Sequence, residues 1–396
     1  NLDENNTLTV GSEFQRYRLD DLWAASGSGS MSPNTFVNIN DGSRDRYDIY
    51  GELTNLWEPD LLISVGLRYG MVRMNAGEVH GYADLNTYGG MTNNQKANSD
   101  TFNASDRTRT NHNWDLTALA EYIISPTLTS ELGYAIKNRS PNLYERYTWS
   151  TWTMAANMNN SYGDGNGYVG NINLNPEKAH TIAWSADWHD SKKDDYQVKF
   201  NPYYTYVEDY IDAVTCGEVG KSCMSRSDGF STLSLDNQSA RIFGFDISAY
   251  KNLGYYSYFG DLRVTSLLAY VRGRNNDTHD NLYRIMPLNL KATLEQNKGA
   301  WSNRLEVMLV KEKGKTSAIR NENQTPGYGL VNITSDYSYK NVILNLSVAN
   351  VFDRRYSDPL GGTYLGQGST MMTGVKNGTA VPGMGRSFNV GVLYNF

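Results

Sequence analysis

Gly385-Arg386-Ser387-Phe388-Asn389-Val390-Gly391-Val392-Leu393-Tyr394-Asn395-Phe396 closes the sequence and alternates along its length. Phe388, Val390, Val392, Tyr394 and Phe396 share one parity. Asn389, Gly391, Leu393 and Asn395 share the other. Successive strand side chains point to opposite faces, so one face is apolar and aromatic and the other mostly polar or small. A strand with lipid on one side and a wet lumen on the other needs this pattern. An edge strand of a soluble antiparallel sheet alternates in the same way, so the rest of the sequence has to separate the two.

Working back from the end, the pattern repeats. Val342, Leu344, Leu346, Val348 and Phe352 mark one strand, Lys340-Asn341 a short turn, and Val331, Ile333, Tyr337 and Tyr339 the strand before it. Further back, strands are expected at Asn303–Lys311, Leu282–Leu294 and Tyr258–Arg272, then, beyond a turn at Asn252–Tyr255, at Ala240–Tyr250. Tyr196–Tyr210 places Tyr196, Val198, Phe200, Tyr204 and Tyr206 on one face, with Gln197, Lys199, Asn201 and Thr205 on the other. Ala179–Trp188, Leu128–Lys137, Trp114–Ile124, Leu61–Met74, Arg46–Trp57 and Asn6–Arg18 complete the series, the first long loop reaching Asp41. The total is about fourteen strands, joined by connections that are short and long in turn, an asymmetry typical of membrane barrels with short periplasmic turns and long outer loops. Soluble sandwiches do not sort their loops by side in this way. The fold class expected is all-β: a transmembrane antiparallel β-barrel, with residues 1–396 as one barrel domain.

Composition agrees. The 396 residues include 29 Tyr, 8 Trp and 36 Gly, and the mean hydropathy is −0.56. Tyrosine suits positions with one apolar side and one wet end, such as the aromatic girdles of a membrane interface. No apolar run reaches the roughly 18 residues of a transmembrane helix. The net charge of −6 with dispersed basic residues argues against nucleic acid as a partner. Cys216 and Cys223 lie close together in a polar loop and are expected to form a local disulfide in an oxidising compartment; two free thiols are the alternative. No leader peptide is recognisable, so a processed or internal start is expected.

Three segments together resemble the TonB-dependent outer-membrane receptors. Asn350-Val351-Phe352-Asp353-Arg354-Arg355-Tyr356 is similar to the family's Asn-Leu-Phe-Asp-Lys-x-Tyr. Arg139-Ser140-Pro141-Asn142-Leu143-Tyr144-Glu145-Arg146-Tyr147 looks like its Arg-x-Pro-x-Leu-x-Glu-x-Tyr. Arg386-Ser387-Phe388 and the terminal Phe396 resemble its closing strand, where the last aromatic closes the barrel and is read by the assembly machinery. Asn142–Trp149, Gly163–Gly170 and Tyr203–Ala213 look closest to the copper-receptor branch. The resemblance implies a bacterial outer-membrane location and active uptake of a scarce nutrient, copper first and a metal-siderophore complex second. It implies outer-membrane lipid and lipopolysaccharide as surroundings, and the TonB complex as a partner acting through a plug domain. This sequence shows neither plug nor TonB box, and has fewer strands than the family's barrel of about 22. It therefore reads as the C-terminal part of such a receptor. A passive closed channel of about fourteen strands, in which the first strand would pair with Gly385–Phe396, is the alternative.

No catalytic signature is present, so no enzyme and no required cofactor is expected. A hydrolase would need Ser or Asp beside His189 or His80. None of His80, His112, His180, His189 or His279 is followed two residues later by Met, as the copper branch implies, and no metal ligand is assigned. The best candidate for ligand contact is the loop Asn138–Pro176, with Tyr144, Tyr147, Trp149, Trp152, Met154 and Met158. Thioethers suit soft ions such as Cu(I), and aromatics suit chelates; packing is the competing role for methionine. Met371 and Met372 are weaker candidates of the same kind. Asp164-Gly165-Asn166-Gly167 reads as a glycine-rich turn rather than a calcium loop.

Overall fold

The computed structural model describes residues 2–25, 34–83, 87–88, 91–92, 94–223, 229–365, 375 and 378–396; Met371 and Met372 lie outside them. Its strands are β1 (Asn6–Trp23), β2 (Phe36–Glu58), β3 (Leu61–Asn75), a two-residue hairpin β4 (Thr87–Tyr88) and β5 (Met91–Thr92), β6 (Arg109–Ser125), β7 (Leu128–Arg139), β8 (Gly167–Val169), β9 (Glu177–His189) and β10 (Tyr196–Thr215). They continue as β11 (Thr232–Tyr256), β12 (Gly260–Asn275), β13 (Asn289–Lys298), β14 (Trp301–Val310), β15 (Tyr328–Tyr339), β16 (Val342–Ala349) and β17 (Ser387–Tyr394). Three short helices sit in the loops: α1 (Gln95–Asn103), α2 (Leu143–Tyr147) and α3 (Thr153–Met158), with a 3-10 turn at Cys216–Val219.

Fourteen strands form one antiparallel path, β1-β2-β3-β6-β7-β9-β10-β11-β12-β13-β14-β15-β16-β17, and β8 adds to β11 in parallel. The two ends, β1 and β17, are edges of an open sheet. The pairing of β1 with Gly385–Phe396 expected of a closed fourteen-strand channel is therefore not what the structure shows.

Register carries the apolar parity from strand to strand. Directly paired residues point the same way, and Leu8 faces Leu53, Leu53 faces Val65, Val65 faces Ala118 and Ala118 faces Tyr134. Tyr134 then faces Ile182, Ile182 faces Tyr204 and Tyr204 faces Phe243. The row resumes through Ile247, Leu268, Leu290 and Leu309, and through Leu305, Ile333, Val348 and Phe388. Val65, Leu132, Ile182, Leu309, Ile333 and Phe388 are exposed. One face of the sheet thus carries a broad apolar belt, bordered at the outer ends of β11 and β12 by Arg241, Arg272 and Arg274, and far larger than a soluble monomer exposes. The opposite face is charged and internally paired: Asp48 holds Arg46 at 2.8 Å and Arg68 at 2.9 Å, Lys291 holds Glu306 at 2.6 Å, and Arg304 holds Asp336 at 3.1 Å.

The structure corrects several boundaries. β2 begins at Phe36, not beyond Asp41, because Phe36, Val37 and Ile39 enter a buried cluster. β13 begins at Asn289, because Leu282 packs inward against Val207 and Ala240 instead of joining the ladder. The β11–β12 turn falls after Tyr256, since a register shift between Asn252 and Gly254 lets pairing continue past Asn252. β16 ends at Ala349, because Asn350 (φ 50°) turns the chain.

Candidate functional site

The long connections gather at one end of the sheet, and the loop between β7 and β9 organises them. Arg139, at the end of β7, donates from Nη1 to both Glu145 carboxylate oxygens, at 2.9 and 3.1 Å, and from Nε to Glu177 at 2.5 Å. Asn142 and Glu145 cap α2 reciprocally: Glu145 N–H donates to Asn142 Oδ1 (2.8 Å), and Asn142 N–H to Glu145 Oε2 (2.8 Å). Leu143 is buried against Ile39 and Met74 in the largest apolar cluster. The Tyr147 hydroxyl donates to the Arg107 carbonyl at 2.7 Å, and burial pushes its phenol up to about 12. Arg139, Asn142, Leu143, Glu145 and Tyr147 of the motif therefore build the loop.

Arg146 is fully buried and has no carboxylate partner. Its guanidinium donates to the carbonyls of Ile172 (2.9 Å) and Leu174 (2.7 Å) and to Asn111 Oδ1 (3.1 Å), and burial holds its pKa below the usual arginine range. Gly170 makes this clamp feasible: a Cβ there would stand 2.9 Å from the Glu145 carbonyl oxygen.

The six aromatic and thioether candidates separate. Tyr147 is closed off in the cluster, and Trp149 is mostly buried there, its Nε1 donating to the Val37 carbonyl at 3.0 Å. Tyr144 and Trp152 are half-buried against it. Met154 and Met158 are exposed, one turn apart on α3. Facing the loop, α1, Trp149 and the residues 219–222 border an open cavity of about 550 Å3. Among the described residues Arg109, Arg146 and Lys221 line it with one carboxylate, Asp106, which pairs with Arg109 at 3.5 Å. Lys221 lies inside the ring closed by the Cys216–Cys223 disulfide (S–S 1.97 Å). Its ammonium donates to the Gly170 carbonyl and to Ser234 Oγ (3.2 Å), and burial lowers its pKa to about 8.

A second knot was not legible in the sequence. Arg320, 3% exposed, donates to Asp212 at 3.0 Å and to the Tyr168 hydroxyl, stands 3.7 Å from Asp164, and lies 4.4 Å above the Tyr162 ring. Asp164 in turn accepts from Tyr168 (2.5 Å) and from Asn166 N–H (3.0 Å). Asp164-Gly165-Asn166-Gly167 is thus a turn committed to arginine, with Gly165 at φ +88°. Asn350 pins the last loop, accepting from Arg354 N–H (2.8 Å) and donating to the Met384 carbonyl (3.2 Å), while Asp353 accepts from Arg386 N–H (2.8 Å). Phe396 is exposed, its ring 5.1 Å from that of Tyr394. Among the described residues no group of three or more His, Cys, Asp or Glu is arranged for a metal ion. The His189 ring meets the backbone oxygen of Asp190 at 2.8 Å.

No curated protein sequence matches the chain. Solved structures do. The copper transporter OprC superposes with TM-score 0.71 at 20% identity, over 99% of this chain and 56% of its own. The FrpB iron transporter from Neisseria meningitidis gives 0.64 at 14%, over 100% and 53%. The ferric yersiniabactin uptake receptor FyuA from Yersinia pestis gives 0.62 at 14%, over 100% and 52%. The chain spans about half the length of these structures, and at such identities they establish the fold alone. A family model described as TonB dependent receptor-like, beta-barrel, matches residues 1–351, and with the two-faced sheet and the pinned loops it shows that the chain belongs to the β-barrel family of TonB-dependent receptors.

Proposed function

We propose that the chain is the wall and loop platform of an outer-membrane receptor that imports a scarce metal by the TonB-dependent route. The broad apolar belt on one face of the sheet carries this reading. Such a surface is stable in lipid, and the unpaired edges of β1 and β17 are not, since hydrocarbon offers backbone groups no partner. A complete barrel would pair them with further strands and hold a plug on which the TonB complex acts. The barrel itself performs no chemistry in this scheme; it supplies a rigid wall, a charged lumen and selective loops.

For the cargo we favour a copper ion. Met154 and Met158 are exposed together on α3, where soft thioethers suit Cu(I). A second reading, a metal held in an anionic chelate, draws on the cavity lined by Arg109, Arg146 and Lys221, whose charge repels a bare cation. Accumulation assays in cells carrying the full-length receptor distinguish them. Copper uptake that depends on TonB and falls in a Met154→Ala/Met158→Ala variant supports the first. Uptake of ferric chelates alone, lost with Lys221→Glu, supports the second. Uptake independent of TonB refutes both.

A further inference from the structure

The short-turn end of the sheet holds another cavity, about 420 Å3, on the charged face. Its walls come from β6, β7, β9 and β10. Glu121 on β6 faces Glu131 on β7, and Glu131 faces Ser185 on β9. One step nearer the turns, Thr129 faces Asp187, and Asp187 faces Lys199 on β10. Directly paired residues point the same way, so these side chains rise into one space.

The charges there do not cancel. Like charges directly opposite one another weaken a sheet, yet among the described residues neither Glu121 nor Glu131 has an ion pair or a side-chain hydrogen bond. Asp187 is already spent: it meets Lys193 at 3.1 Å and accepts twice from Gln197, at 2.8 Å each time. Lys199 is left over, with no ion-pair partner among the described residues. Two buried groups on the cavity wall are also unmet. Ser185 is 6% exposed, and its hydroxyl makes no hydrogen bond to a described residue. His189 is 5% exposed, and its Nδ1 meets the Asp190 carbonyl at 2.8 Å. A carbonyl only accepts, so Nδ1 donates and the neutral ring keeps a lone pair on Nε2. Nε2 has no partner. Buried polar groups are nearly always satisfied, and both residues line this cavity.

The unmet groups are sorted by sign. Two carboxylates stand on β6 and β7, one ammonium on β10, and the hydroxyl and imidazole on β9 between them. Glu131 and Lys199 sit two strands apart, roughly 10 Å. A metal ion at the carboxylates would leave Lys199 unmet. A molecule with an ammonium at one end and a carboxylate at the other meets both. An extended chain covers about 3.5 Å per residue, so a peptide of two or three residues spans the gap with help from the side-chain arms.

We propose that this cavity binds a short zwitterionic peptide, its terminal ammonium between Glu121 and Glu131 and its terminal carboxylate on Lys199. Ser185 and His189 Nε2 serve the peptide groups between the ends. The proposal takes from the reading above only that the charged face lines a lumen; the cargo loops lie at the opposite end of the wall.

The test is calorimetric titration of the full-length receptor with dialanine, N-acetyl-dialanine, dialanine amide and calcium chloride. Dialanine is expected to bind, and blocking either end to weaken binding about tenfold or more, the loss of one charge-assisted contact. Glu121→Gln/Glu131→Gln should abolish the preference for a free amine and keep that for a free carboxylate. Lys199→Met should do the reverse. Heat-modifiable gel mobility checks that each variant is folded, and the blocked peptides decide on the wild type if one is not. No binding of dialanine, equal binding of free and blocked forms, or loss of both preferences together in a folded variant overturns the proposal. Calcium binding that needs Glu121 and Glu131, with dialanine ignored, overturns it in favour of a cation site. Membrane fractionation separates the two readings: a receptor absent from the outer membrane refutes the barrel reading, whereas one in place that ignores dialanine refutes only this site.

Discussion

Arg139 Nη1 is shared between the two carboxylate oxygens of Glu145, at 2.9 and 3.1 Å, an ion pair that folds the loop after β7 back over Pro141 onto its own strand end. Glu145 also caps α2, so one carboxylate serves both the strand end and the helix. Glu145→Ala is expected to remove both, destabilising the loop locally by about 2–4 kcal/mol for a mostly buried charge-assisted set. Hydrogen exchange should show faster exchange at residues 143–149 while the β-ladder stays protected. Unchanged protection in that segment would show that the pair is dispensable.

Arg320 is expected to hold the outer loops as a unit. It joins the loop before β15 to Asp212 on β10 and to Tyr162, Asp164 and Tyr168 in the β7–β9 loop. Arg320→Met leaves Asp164 and Asp212 without their cation, a buried loss of about 3–5 kcal/mol. Limited proteolysis of intact cells should then cut within 282–288 or 311–327. The paired variant Arg320→Met/Asp212→Asn should resist better than Arg320→Met alone, since it removes one orphaned charge. Equal cleavage of the two would show that Asp212 is not coupled to Arg320.

The sheet was far more legible than the loops. Period-two alternation survives in each strand because each meets the same two environments, so Leu61–Met74 and Tyr196–Tyr210 could be read singly. The errors fell where a strand leaves that regime. Leu282 has the right residue type for a lipid-facing position, yet it turns inward onto Val207 and Ala240. Tyr147 has the chemistry of a ligand contact, but the loop buries it completely in its own core. Arg320 carries no signal at all: its partners Tyr168, Asp164 and Tyr162 lie 152 residues away or more, and no local pattern encodes such a distance. The three resembling segments proved to be places where loops are pinned.

The lipid-facing assignment makes a sharp contrast between neighbours. Leu132→Arg places a charge on the apolar face, and should weaken folding into vesicles by about 2–4 kcal/mol if it lies near mid-bilayer. Glu131→Arg, one residue away on the polar face, should fold nearly as the wild type does. The measurement is heat-modifiable gel mobility of the full-length receptor during folding into lipid. Similar losses for both substitutions would refute the two-faced reading.

Lys221 provides a pH signature for the disulfide loop. Its pKa falls from the usual 10.5 to about 8 through burial, partly opposed by Asp236. Between these values the unfolded loop binds more protons than the folded one, so stability must rise with pH across that window. Below about pH 8 both states are protonated and the slope vanishes. Exchange protection at residues 216–223, corrected for intrinsic rates, should therefore increase from pH 8 towards 10. Lys221→Met should abolish the increase while keeping the Cys216–Cys223 bond. A slope that persists in this variant would assign the titration to another group.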